Sequence, residues 1–221
     1  MSGFRIAVLA SGRGSNLQAL IDAIGAGRLD ARIAGVFSDK PDSGAIALAR
    51  QHGLPAVARS PRDHASRAAH DEALFSEIEG VQPDLIVCAG YMRIIGEAAL
   101  RRFEERMINI HPSLLPKYPG LDTHARVLAA GDPEHGASVH AVIPALDAGP
   151  LLAQTRLSVA AGDDAQSLSR RLLPREHALL VASVDLLARG RVRLRSDHVE
   201  LDGRRLAAPL QLRDDNRLEE A

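Results

Sequence analysis

Three residues far apart along the chain are of the types that acyl transfer uses. Asn109 and His111 stand two apart in the run MINIHP, and Asp147 lies in the run IPALDAGP. If residues 107–110 form a strand, side chains two apart point the same way, so an amide and an imidazole converge where Pro112 ends it. Such a pair can polarise a carbonyl and stabilise the oxyanion formed on attack. Deleting one donor of this kind typically slows a reaction about 100- to 1,000-fold. A carboxylate that fixes the tautomer of the imidazole or supports its charged form completes the arrangement, and Asp147, bracketed by Pro144, Gly149 and Pro150, is the candidate. The alternative for Asp147 is a solvated turn residue, and spacing leaves both open. Cys88 lies inside an apolar run, where a thiol packs as a small hydrophobe. No metal is expected, because His135 and His140 are five apart with no HExxH or carboxylate cluster beside them.

Two further loops carry binding chemistry. In SGRGSN, residues 11–16, Gly12 and Gly14 let backbone N–H groups approach a ligand, while Ser15 and Asn16 add donors at the positive end of a helix. This is either a phosphate cradle or a bare strand-to-helix turn. Leu17 occupies the place of the third glycine of a dinucleotide fingerprint, and the Lys-Ser or Lys-Thr pair of a nucleotide P-loop is absent, so a monophosphate is favoured. Residues 90–95, with Tyr91, Met92, Arg93, Ile94 and Ile95, are apolar where loops are usually polar. They form either a core-facing turn or one wall of a pocket for a flat organic ligand.

These loops need a frame, and the hydrophobic pattern supplies one. Strands over 5–10, 31–38, 55–58, 85–89 and 107–110 alternate with helices over 15–26, 43–52, 65–80 and 97–103, with Ser15 as candidate cap of the first helix. The alternation predicts an open, mostly parallel α/β sheet with right-handed crossovers and helices on both faces. Ligands bind beyond the carboxyl ends of such strands, where all three loops fall. After residue 111 the run HPSLLPKYPG forces a rigid irregular loop. A helix over 123–130, strands over 137–143 and 151–157, a helix over 164–188 and short strands over 192–194 and 199–201 follow, and the tail from 212 reads as disordered.

Composition sets the outer limits. With 221 residues, 46% hydrophobic and 25% charged, the chain suits one compact soluble domain that needs no disulfide or structural metal. A single cysteine excludes a disulfide framework. A net charge of -1 removes the electrostatic argument for a nucleic-acid or polybasic membrane partner. No run reaches the roughly 18 apolar residues of a membrane span, and the apolar stretch near the start is too short for a secretory signal, so the cytoplasm is the expected location.

The segments ASGRGSNLQAL, CAGYMRIIG, INIHPSLLPKYPG and HGASVHAVIPALDAGPLLAQ, in this order and spacing, resemble the phosphoribosylglycinamide formyltransferase family, folate-dependent enzymes of purine synthesis. The resemblance covers residues 4–205. Methionyl-tRNA formyltransferases and formyltetrahydrofolate hydrolases are similar in the central motifs, but the GxGSNL loop points to the phosphoribosylglycinamide formyltransferases. The resemblance implies a Rossmann-like sheet of about seven strands in a domain over 1–205, with a phosphate-binding half over 1–105, a catalytic and folate-binding half over 106–205, and a flexible tail over 206–221. The implied reaction moves a formyl group from 10-formyltetrahydrofolate to the amine of glycinamide ribonucleotide, the third step of de novo purine synthesis, by direct attack through a tetrahedral intermediate. Asn109 and protonated His111 would donate to the oxyanion, and Asp147 would raise the pKa of His111. Gly14, Ser15 and Asn16 would hold the phosphate and ribose side of the ribonucleotide, with Glu176 at the ribose hydroxyls. Arg67, Met92, Arg93, Ile94, Ile95 and Asn109, with Ile143 and Asp147 of the loop 143–147, would hold the folate. The glutamine that relatives carry three residues before the glutamate is Leu173 here, followed by Pro174. The resemblance also implies no metal, no nucleic-acid or membrane partner, and a monomer or homodimer.

Overall fold

Continuous apolar runs, not alternating ones, build the first half of the molecule, as strands covered on both faces require. Strands β1 (Phe4–Leu9), β2 (Ala31–Ser38), β3 (Ala56–Ala58), β4 (Leu85–Cys88) and β5 (Met107–His111) alternate with helices α1 (Ser15–Gly25), α2 (Gly44–Gln51), α3 (Arg67–Gly80) and α4 (Glu97–Arg102). The structure is a computed structural model that describes residues 3–220. It divides into two units, residues to Asn109 and residues from Ile110 onward. In the first unit the strands lie in the order β5-β4-β1-β2-β3, all parallel. Ile6, Val8, Val36, Ile86 and Val87 are wholly shielded between the helices.

Ser15 is not the cap of α1. That place belongs to Gly14, at φ 86° and without a side-chain cap. A Cβ on Gly14 would stand 2.9 Å from the Cα of Ala45 at the start of α2. Both the left-handed backbone and the close approach demand glycine there, so Ser15 is displaced into the helix.

The second unit joins α5 (Thr123–Ala130), an antiparallel pair β6 (Glu134–Ala141) and β7 (Leu151–Ser158), and α6 (Ala165–Ala188). Strand β6 begins three residues before its apolar run because Glu134, His135 and Gly136 pair with Ser158, Leu157 and Arg156. Asp164 caps α6 by a reciprocal bond with Ser167, and the helix continues through Pro174. Strands β8 (Val192–Leu194), β9 (Val199–Leu201) and β10 (Arg204–Arg205) form a small antiparallel sheet.

The expected disordered tail is ordered instead. Residues Leu210–Leu212 form β11, parallel to β7, and Leu218–Glu219 form β12, antiparallel to β11. The anchor is a pair of alternate leucines, Leu210 and Leu212, exposed by 1% and 8%. Residue 221 lies outside the described residues. The strands therefore outnumber the expected seven, and the class, α/β with a mostly parallel sheet, stands. Among the described residues no helix is long and apolar enough to cross a membrane.

Candidate active site

His111 closes β5 with its ring buried. Its Nε2–H donates to the carbonyl of Tyr118 at 3.0 Å, and its Nδ1 lies 3.5 Å from Oδ2 of Asp147. Asp147 adopts a left-handed backbone, φ 49°, which aspartate tolerates better than most residues. Its Oδ2 also accepts the Gly120 N–H at 2.8 Å, and its Oδ1 lies 3.6 Å from Nε2 of the buried His140. The carboxylate is thus held between two imidazoles and pinned by an amide. The sequence gives no role to His140, which is set aside as a metal ligand, and its nearness to Asp147 comes from the loop that folds back after β6.

Burial holds His111 below the ordinary imidazole value, and the pull of the Tyr118 carbonyl and of Asp147 in the opposite direction does not overcome it. The expectation that Asp147 raises this pKa has the right sign for that pair and the wrong outcome for the residue, because desolvation of the cation is the larger effect. Burial pushes Asp147 up, but His140, the Gly120 amide and His111 together bring it below its usual range. A neutral ring that donates from Nε2 turns a bare Nδ1 toward an ionised carboxylate. The pair lacks one proton to become an ion pair, so it forms a ready seat for one.

Two loops fix this geometry. Leu115 N donates to Ser138 Oγ at 3.1 Å, Ser138 Oγ donates to Ser113 O at 2.7 Å, and Gln154 Nε2 donates to Leu115 O at 2.9 Å. Tyr118, an aromatic residue at φ 56°, is in a strained conformation, and its hydroxyl is bonded to Asp132 at 2.9 Å. The loop that bears Asp147 returns through an Ala141 N to Pro150 O bond at 2.9 Å. A Cβ on Gly149 would fall 1.9 Å from the Ala141 oxygen, which explains the glycine of the LDAGP run.

In the first unit the predicted binding loops hold three buried polar atoms without a partner: Asn16 Oδ1, Tyr91 OH and Arg93 Nε. Leaving a buried polar group unpaired costs about 1–3 kcal/mol, so such atoms are of the kind that a bound ligand completes. Met92 and Ile94 are exposed by 63% and 56%, and in the second unit Leu121 and Leu146 by 70% and 58%. Large exposed apolar side chains on loops suit a flat organic ligand. Ile95 and Ile143 are half-buried, Arg67 is exposed at the first position of α3, and Asn109 is half-buried on β5, two residues before His111. Gly14 and Ser15 stand at the N-terminus of α1. Glu176 is buried on α6, and burial pushes its carboxyl up to about 7. Burial pushes the Cys88 thiol up to about 12, which makes it a poor nucleophile. Among the described residues no group of three or more His, Cys, Asp or Glu is arranged to hold a metal.

Comparison with known proteins adds a family to this geometry. The formyl transferase family model matches residues 4–184. The chain is 43% identical over 201 residues to phosphoribosylglycinamide formyltransferase of Escherichia coli, covering 91% of this chain and 95% of that one. It is 42% identical over 184 residues to the enzyme of the same name from Mycobacterium tuberculosis, covering 83% and 85%. The structure of phosphoribosylglycinamide formyltransferase from Coxiella burnetii superposes with a TM-score of 0.88 at 44% identity, covering 93% and 96%.

Proposed function

Because the chain belongs to the formyl transferase family, we propose that it transfers a formyl group from 10-formyltetrahydrofolate to the amine of glycinamide ribonucleotide. The observation that carries this reading is the buried Asp147 carboxylate between His111 and His140, one proton short of an ion pair. As the amine attacks, a nitrogen–carbon bond forms, the formyl oxygen gains negative charge and the nitrogen gains positive charge. His111 and Asp147 take the surplus proton from that nitrogen. The imidazolium so formed and the Asn109 amide stabilise the oxyanion. The proton then passes to the departing nitrogen of the formyl donor as its bond to the formyl carbon breaks. No metal enters the reaction as written.

Binding follows the same division of residues. Gly14 and Ser15 present the N-terminus of α1 to the phosphate, and Asn16 and Glu176 bind the sugar side. Met92, Ile94, Ile95 and Ile143 offer apolar contact to the formyl donor, with Arg67 and Arg93 as its cationic contacts. Leu173, in place of a glutamine, leaves the sugar contact to Glu176. The partners are small molecules, the location is the cytoplasm, and the working form is a monomer or homodimer.

The test is incubation with both substrates while the release of the deformylated folate is followed by absorbance. Formylated ribonucleotide should appear in step with that release, and only when both substrates are present. Release at the same rate without the amine would make the protein a hydrolase and sink the reading.

A further inference from the structure

Ser11 sits where three adjacent strand ends meet. It follows β1, while Asp39 follows β2 and the loop 90–95 follows β4, and β1 lies between β2 and β4. Its backbone N–H donates to Gly90 O at 3.0 Å, and its hydroxyl oxygen accepts the Met92 N–H at 3.0 Å. The one hydroxyl proton is committed to Asp39 Oδ1 at 2.5 Å, inside a pair of side chains that are both buried. Asp39 therefore aims the lone pairs of Ser11 at Met92. On its other side the same loop is tied to α2, because Ala45 N donates to Gly12 O at 3.0 Å.

We propose that Ser11, oriented by Asp39, is a positioning residue that makes the glycine loop 11–16 and the apolar loop 90–95 move as one body, so that the two substrates bind interdependently. The inference rests on the assignment of those loops to the ribonucleotide and the formyl donor. An anion seated on the glycine loop orders Ser11, Ser11 orders Met92, and the apolar wall is set before the second ligand arrives. By linkage the effect is reciprocal. The unpaired Tyr91 OH and Arg93 Nε lie in the very segment that the clamp holds, so its placement decides what those atoms meet.

The experiment is a binding cycle by calorimetry on the whole protein, with glycinamide ribonucleotide and folic acid as probes, each titrated with and without the other. In the wild type, saturation with one probe should tighten the other about tenfold, within the usual range for coupled sites. Ser11→Ala should reduce the linkage below about twofold, Asp39→Ala should do the same, and Asp39→Asn, which keeps an acceptor for the hydroxyl, should retain it. Binding of both probes without linkage, or linkage that survives Ser11→Ala, overturns this proposal alone. Failure of the wild type to bind either probe overturns the functional reading as well. Should the variants not fold, hydrogen exchange at the Met92 amide of the wild type reads the same clamp. Slower exchange with the ribonucleotide alone supports it, and unchanged exchange overturns it.

Discussion

At the scale of single residues the protein separates two titrations that a pH profile can resolve. In the proposed mechanism the His111–Asp147 pair must be free of its extra proton to accept one from the attacking amine, and burial keeps His111 below its ordinary 6.5. The turnover number at saturating substrates should therefore fall only on the acid side, below pH 6.5. An acid limb above that value would show that the working enzyme begins from the imidazolium. Asp147→Asn and Asn109→Ala should each lower turnover by at least about 100-fold with the fold intact by circular dichroism, and near-normal turnover would remove the residue from the mechanism. Glu176 titrates elsewhere: burial places its carboxyl near 7, from 4.5. If Glu176 holds the ribose as proposed, the ribose hydroxyls bind its ionised form better, so the KM for the ribonucleotide should fall as pH rises through about 7. The stability effect has the opposite sense. A carboxyl raised on folding costs nothing below its unfolded value and destabilises progressively as pH rises from there to the folded value, here by on the order of 3 kcal/mol. Glu176→Gln should flatten the KM dependence and raise the melting temperature at pH 8 relative to pH 4; equal shifts at both pH values would count against a buried ionised carboxylate.

Elements, more than side-chain identities, decide whether these groups meet. Gly149→Ala adds one methyl group against the Ala141 backbone oxygen, at a distance no relaxation of a side chain can relieve. The loop must shift, and Asp147 with it. Turnover should fall at least about tenfold through lost alignment, although the altered residue does no chemistry. A variant with wild-type turnover would show that the loop tolerates displacement. Much of this frame is legible beforehand. The strand and helix alternation is visible because parallel strands need continuous apolar runs and helices need their own period, and the phase of Asn109 and His111 follows from strand geometry alone. The cap of α1 is not legible, because it depends on Ala45, a residue remote in sequence from Gly14. The second imidazole on Asp147 depends on a loop returning to the end of β6, and the neutral state of His111 depends on how much protein covers it. Each is a property of packing, which local pattern does not encode.

The whole molecule extends beyond the segment that the family model matches. The family match ends at residue 184, yet the later residues build β8 to β10 and then add β11 alongside β7. Two candidate forces hold this last piece. Asp214 pairs with Arg175 at 3.2 Å, but its side chain is 97% exposed, and an ion pair in that setting contributes little. Leu210 and Leu212 are buried, and two leucines taken out of water contribute about 3–6 kcal/mol together. The leucines decide. Removal of residues 206–221 should lower the melting temperature by roughly 6–24 °C, on the usual scale for a chain of this length. It also leaves the β7 edge with unpaired N–H and C=O groups, a template for pairing with a second chain, so concentration-dependent association should accompany the loss. Leu210→Asp with Leu212→Asp should reproduce the thermal shift with the backbone retained. If the truncated protein melts within about 2 °C of the full chain and stays monodisperse on light scattering, the strand is a passenger on the sheet and its leucines are buried without consequence.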